Sequence, residues 1–254
     1  EGLLATVTVG VGDAAAEVDK VLEDHLHPNV LTVDIGHLDD LRREVERIPT
    51  ERAEARSGLP ILYHDVFTKG VVYLDLFFDT GGLKERYLQF LPLFGQAVRG
   101  SGLPGVPYYE MAHRLSLHTG GFGVSVSADR AVNPEGALMS GLVFRVKMLE
   151  KNVETAAGLV GQLLRTADFR DVDRMKTIIL EMRNDLRGSL VPGGSHYASL
   201  RAAAHLSPSS QIEERWKGVS QYIWLDRLSR LLAAERGEFH GLALALEAIR
   251  GSLI

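Results

Sequence analysis

The sequence predicts an α+β fold, a mostly antiparallel sheet packed on a helical layer with a helix-rich C-terminal half. Three observations carry this. Residues 71–78 and 138–149 alternate with the period of two that marks strands. Around and after them, apolar residues recur three and four apart, the period of a helix with one buried stripe. Strands come first and helices last, unlike the regular strand-helix alternation of a parallel, doubly wound sheet.

Taken in order, residues 4–11 alternate, and Gly12-Asp13 then caps a helix carrying Val18, Val21, Leu22 and Leu26. Residues 28–59 lose any continuous apolar face among charges and are expected to be a connector with a helical turn or two. Residues 1–50 are accordingly a connector or the tail of a preceding domain, and residues 51–254 the domain proper. Thr68-Lys69-Gly70 is a turn signal, so residues 61–67 and 71–78 are expected to form a hairpin. Val72, Leu74, Leu76 and Phe78 share one apolar face of its second strand, which should meet helices. Val71, Tyr73, Asp75 and Phe77 share the other. Leu83, Tyr87, Phe90, Leu91, Phe94 and Val98 then predict a helix, ended by Gly100-Ser101-Gly102 and Pro104-Gly105. A second helix from Pro107 carries Met111 and Leu115. Gly120-Gly121 opens a strand bearing Phe122, Val124 and Val126, expected to pair with residues 138–149.

The remainder reads as helices. One spans 153–164, and another spans 171–190 with Val172, Met175, Ile179, Met182 and Leu186 on one stripe. Pro192-Gly193-Gly194 breaks the second. Ser195 is placed to cap the next helix, where Ala198, Ala202 and Leu206 form a small-residue stripe suited to close packing. Further helices follow over 208–217, over 220–234 and near the end, and Trp216 and Trp224 are expected as core or interdomain anchors.

Composition excludes several classes of function. With 254 residues, 45% hydrophobic and 24% charged, the chain can bury a large core. A net charge of −5 with scattered Lys and Arg provides no basic stripe for nucleic acid. No apolar run is long enough to span a membrane, and the amino end has no secretory signal, so a cytoplasmic setting is expected. Zero cysteines exclude disulfides, thiolate metal sites and cysteine nucleophiles. The chain starts at Glu1 without methionine, as a fragment or processed product would.

The motifs of the common hydrolases are absent. Zinc peptidases place two histidines one helical turn apart with a glutamate base between, as H-E-x-x-H or H-x-x-E-H, and neither string occurs. Of the nine histidines, the closest pair is His25 and His27, whose spacing of two points them apart on a helix before Pro28. His113 and His118 flank a helix end, where capping or packing is expected. No metal ligand and no catalytic residue is assigned. There is no G-x-S-x-G elbow and no P-loop. Gly120-Gly121-Phe122-Gly123 follows a helix and opens a strand, the reverse of a phosphate loop, so its glycines are expected to allow close backbone approach or a bulge. The adjacent acids Asp39-Asp40 and Glu213-Glu214 do not converge on one helix face and are expected to be solvated. After the helix break, His196, Tyr197 and Arg201 are candidates for contact with a peptide or an adjoining domain. The competing expectation is that Tyr197 and the alanines pack while Arg201 bridges to acids.

In order along residues 41–232, the segments REVERIPTE, ILYHDVFTKGVVYLDLFFD, LPLFGQAV, HTGGFGVSVSA and GGSHYASLRAAAHLSP resemble the presequence protease branch of the insulinase-type (pitrilysin) zinc metallopeptidases. The likeness is to the non-catalytic third domain, the peptidase-associated domain, and its upstream connector. The resemblance implies two halves joined by a helical hairpin and closing around a peptide, with an inverted zinc motif in the first domain and substrate-contacting arginine and tyrosine residues in the last. Neither segment is matched here. It therefore implies a non-catalytic segment of a zinc metalloendopeptidase that walls a chamber for unfolded peptides. Its partners would be the remaining domains of the same polypeptide, and its zinc would be bound outside this segment. The alternative is a stand-alone inactive homologue serving as a binding or structural subunit.

Overall fold

The computed structural model describes residues 48–55, 58–131, 136–234 and 238–254. The strand and helix expected within residues 4–26, His25, His27 and Asp39-Asp40 lie outside the described residues. The chain divides into two compact units, Glu1–Val66 and Phe67–Ile254.

In the first unit, β1 (Glu51–Glu54) pairs antiparallel with β2 (Pro60–Tyr63), Glu51 opposite Tyr63 and Glu54 opposite Pro60. Gly58, at φ +81°, helps reverse the chain, its N–H donating to the Ala55 carbonyl at 2.9 Å. This corrects two expectations. Residues 51–54 are a strand rather than connector, and residues 61–67 do not pair with 71–78.

In the second unit, β3 (Val71–Asp79), β4 (Gly121–Arg130) and β5 (Leu138–Leu149) form an antiparallel sheet in the order β3-β5-β4. The turn foreseen at residues 68–70 does form. Lys69 (φ 53°) and Gly70 (φ 78°) both take left-handed backbone, and the Val71 N–H donates to the Thr68 carbonyl at 3.2 Å. The turn reverses the chain but does not choose the neighbour of β3. Register runs from Val71 opposite Leu149 to Asp79 opposite Gly141, nine pairs long, against an apolar central strand. The segment ending in His64 and Asp65 offers no comparable face. The pairing expected between residues 121–128 and β5 is present, Phe122 opposite Val146 and Val126 opposite Leu142.

The sheet buries its even-numbered face. Phe122, Val126, Leu142, Phe144, Val146 and Met148 are in the core, and the Phe122 and Phe144 rings stack with centroids 5.8 Å apart. Helices cover this side alone, as the alternation required. The expected first helix is two pieces, α1 (Glu85–Leu88) and α2 (Leu91–Gly100), because Pro92 occupies the first turn of α2 and has no N–H to continue an earlier helix. Leu91, Leu93, Phe94, Ala97 and Val98 of α2 are fully buried. Its Gly95 lies so close to the sheet that an added Cβ would stand 2.6 Å from a Val124 methyl.

The remaining helices are α3 (Tyr108–His118), α4 (Val153–Thr166), α5 (Val172–Leu190), α6 (Gly194–Ala203), α7 (Pro208–Lys217), α8 (Val219–Ala234) and α9 (Glu238–Leu253). Asp171 caps α5 by accepting from the Arg174 N–H at 3.0 Å, and Ser207 caps α7 by accepting from the Ser210 N–H at 3.1 Å. Trp216 is core, its Nε1–H donating to the Leu88 carbonyl at 2.6 Å. Trp224 is half-buried, edge-on to Phe90 at 4.9 Å. The fold is thus α+β, an antiparallel sheet on a helical layer with a helix-rich C-terminal half. Among the described residues, no helix is long and apolar enough to cross a membrane.

Candidate functional site

The segment after the helix break differs from its expected packing. α6 starts at Gly194, so Ser195 lies inside the first turn, and Gly193 at the cap position supplies no side-chain bond. No residue of α6 is buried: Ala198 and Ala202 are exposed, and Leu206 beyond it is 82% exposed. The alanine stripe is not a packing seam because the helix is held by its neighbouring stripe. There Tyr197 and Arg201, four apart, reach inward. The Tyr197 hydroxyl meets Ser189 Oγ at 2.6 Å. Arg201 Nη1 donates to Glu214 Oε1 at 3.1 Å and to Ser220 Oγ at 3.0 Å. His196 is exposed, with its ring edge-on to Tyr197 at 5.5 Å. Two of the three candidates therefore anchor α6 to α5, α7 and α8, and His196 is left toward solvent.

Glu213 and Glu214, expected to be solvated, are anchors instead. Glu214 is 4% exposed, and its carboxylate accepts from Arg201 and from the Ser220 N–H at 3.1 Å. Burial by itself would raise its pKa. The Ser220 hydroxyl and N–H and the Arg201 guanidinium outweigh that and hold the carboxyl below its ordinary value of 4.5. Glu213 accepts the Ala128 N–H at 2.9 Å and pairs with Lys217 at 2.8 Å. It thereby satisfies a backbone donor on β4, an edge strand whose Phe122 carbonyl is likewise taken by Arg99 Nε at 2.8 Å. Adjacent acids on a helix reveal nothing of this, since both partners are supplied by distant segments.

Two surfaces remain as sites. The first is the odd-numbered face of the sheet, which no described element covers. Tyr73 is 67% and Phe77 51% exposed. The register sets Lys147 beside Tyr73, Arg145 beside Asp75 and Val143 beside Phe77, with Ser125 and Ser127 on the third strand. Arg145 Nε donates to Asp75 at 2.9 Å. Gly141 is required here, because a Cβ would fall 2.1 Å from the Phe77 ring. The face is thus aromatic, hydroxylated and mixed in charge, suited to many peptide sequences rather than one.

The second is a cleft of about 700 Å³ among α2, α3, α5 and the start of β4. Arg99 and Arg174 stand at its walls, each held through Nε by a backbone carbonyl, Phe122 for Arg99 and Gly100 for Arg174 at 2.7 Å. Arg174 also lies 4.3 Å over the Tyr108 ring. Glu181 and Asp185 line the same cleft. The sequence signal for this cleft was the stripe Arg174, Ile178, Glu181 and Asp185, spaced four, three and four on one helix face, next to the apolar stripe that drew attention instead. Among the described residues, no group of three or more His, Cys, Asp or Glu is placed to hold a metal ion.

The chain was compared with known proteins. The family model for the peptidase-associated region of metallopeptidase family sixteen, subfamily C, matches residues 37–228. The mitochondrial presequence protease of Yarrowia lipolytica is 31% identical over 219 residues, covering 85% of this chain and 22% of that protein. Presequence protease 1, chloroplastic/mitochondrial, of Arabidopsis thaliana is 27% identical over 218 residues, covering 86% and 20%. The chain therefore spans about a fifth of the length of these curated relatives. A crystal structure of a protease from Helicobacter pylori superposes with a TM-score of 0.39 at 11% identity over 54% of this chain and 31% of that one, too loose a likeness to carry an argument.

Proposed function

Because the chain belongs to this peptidase-associated family and matches presequence proteases along most of its length, we propose that it is the non-catalytic segment of a zinc metalloendopeptidase, and that the open face of its sheet forms part of a chamber wall around unfolded peptides. The observation that carries this is the uncovered row of Tyr73, Asp75 and Phe77 beside Arg145, Lys147 and the serines of β4. Such a face offers aromatic surface and both signs of charge with little preference for one side chain, which suits confinement of varied peptides. Enclosure excludes folded proteins and orders a flexible chain for attack elsewhere. The described residues do not fit zinc, so the metal belongs to other parts of the same polypeptide, the partners in this proposal, and no chemical step is routed through this segment. A cytoplasmic setting is part of the proposal and is checked by cell fractionation, since the organelle names belong to the relatives.

The test is photocrosslinking in the full-length polypeptide. A benzophenone amino acid replaces Tyr73 or Phe77 on the sheet face, or, as control, the exposed Leu244 on the helical side. An unfolded peptide should crosslink from the first two positions and be competed by unlabelled peptide. Labelling no stronger than from Leu244 refutes the chamber wall.

A further inference from the structure

We propose that the cleft among α2, α3, α5 and the start of β4 is a peptide-binding subsite selecting an extended segment that carries a carboxylate and a basic side chain about three to five residues apart. This rests on the peptide-handling function proposed above and specifies a second place where peptide is held.

The cleft is polarised by construction. At one end Arg99 and Arg174 are each pinned through Nε by a backbone carbonyl, so the guanidiniums are oriented before any ligand arrives. Arg99 spends one terminal nitrogen on Gln96 at 3.3 Å, and stacking over Tyr108 steadies Arg174 from its flat face. Neither contact consumes the outer edge of Arg174, the edge that binds a carboxylate through two parallel N–H bonds. At the other end Glu181 and Asp185 are exposed and have no ion-pair partner among the described residues. Ile178 and Met182 lie between the two ends and, with Leu115 and Phe122, supply apolar lining.

The geometry sets the spacing. Arg174, Glu181 and Asp185 share one face of α5. At a rise of about 1.5 Å per residue, the acids lie about 10 and 16 Å along the axis from the arginine. An extended peptide advances about 3.3 Å per residue, which yields about three to five residues between the two charges. A uniformly acidic or uniformly basic peptide meets repulsion at one end.

The experiment uses the 254-residue chain and a rhodamine-labelled, C-terminally amidated peptide in which one Glu and one Lys are separated by three small apolar residues, read by fluorescence anisotropy. Binding to the unaltered chain is expected, weakening as salt is raised. The double substitution Glu181→Lys with Asp185→Lys, at exposed positions, should weaken it at least tenfold while circular dichroism stays unchanged. Replacing the peptide's Lys with Glu should restore binding to that variant and abolish it with the unaltered chain. No binding to the unaltered chain, equal affinity for chain and variant, or equal affinity for a peptide with both charges replaced by Ser overturns the subsite. Crosslinking from Tyr73 and Phe77 reads the sheet face independently: crosslinks without cleft binding refute the subsite alone, and cleft binding without crosslinks refutes the chamber wall alone.

Discussion

Replacing Glu214 with Gln isolates the electrostatics that hold α6, α7 and α8 together. The side chain keeps its shape, and its remaining oxygen can still accept from the Ser220 N–H, 3.1 Å away. What disappears is the charge. A hydrogen bond to a charged group contributes about 1.5–3 kcal/mol and a neutral one about 0.5–1.5, so the Ser220 bond weakens by about 1 kcal/mol. Arg201 is 62% exposed, so water replaces most of what its pairing supplied. That loss is about 0–1 kcal/mol. Glu214→Gln should therefore cost about 1–2 kcal/mol near neutral pH. The folded-state pKa of Glu214 is depressed below 4.5. Its stabilisation is accordingly present above that value and lost as pH falls from there through the folded pKa. Urea unfolding of chain and variant should show the full gap at about pH 7 and a closing gap at about pH 4 and below, because both proteins then carry a neutral group there. A gap of equal size at both pH values, or none at neutral pH, would refute a carboxylate-dependent anchor.

Gly102→Ala should cost about 3 kcal/mol, since the added Cβ would sit 2.2 Å from the Val106 carbonyl oxygen and 2.8 Å from the Tyr108 nitrogen, backbone atoms that cannot rotate away. Gly105→Ala, with open space around it but φ at +80°, should cost only about 1 kcal/mol; thermal unfolding separates the two. Glu213→Ala frees the Ala128 N–H, which should lower stability by about 1–2 kcal/mol and speed hydrogen exchange at Ala128, visible by amide NMR. Trp216→Phe removes the donor to the Leu88 carbonyl in a site 2% exposed and should cost about 1–3 kcal/mol in urea unfolding.

Much of the fold was legible because burial leaves a period in the sequence. The alternation of β3 identified Val72, Leu74, Leu76 and Phe78 as its inward face, and the pairing of β4 with β5 followed from two apolar alternating runs. Asp171 before an apolar-periodic run marked the start of α5. The resemblance to presequence proteases agrees with the family match over residues 37–228. The neighbour of β3 was not legible, since alternation states which face is buried and is silent about which strand lies alongside.

By itself, then, the sequence determined the elements, their buried faces and the family, all written in local periodicity and ordered segments. Tertiary structure alone decided that Glu214 is an anchor, that Ala198 and Ala202 face water, and that Arg99 and Arg174 share a cleft with Glu181 and Asp185. The physical reason is range. Periodicity reflects an average environment along one element, whereas the solvation of a charge depends on partners such as Ser220 for Glu214, or Phe122 for Arg99, that only folding brings within about 3 Å.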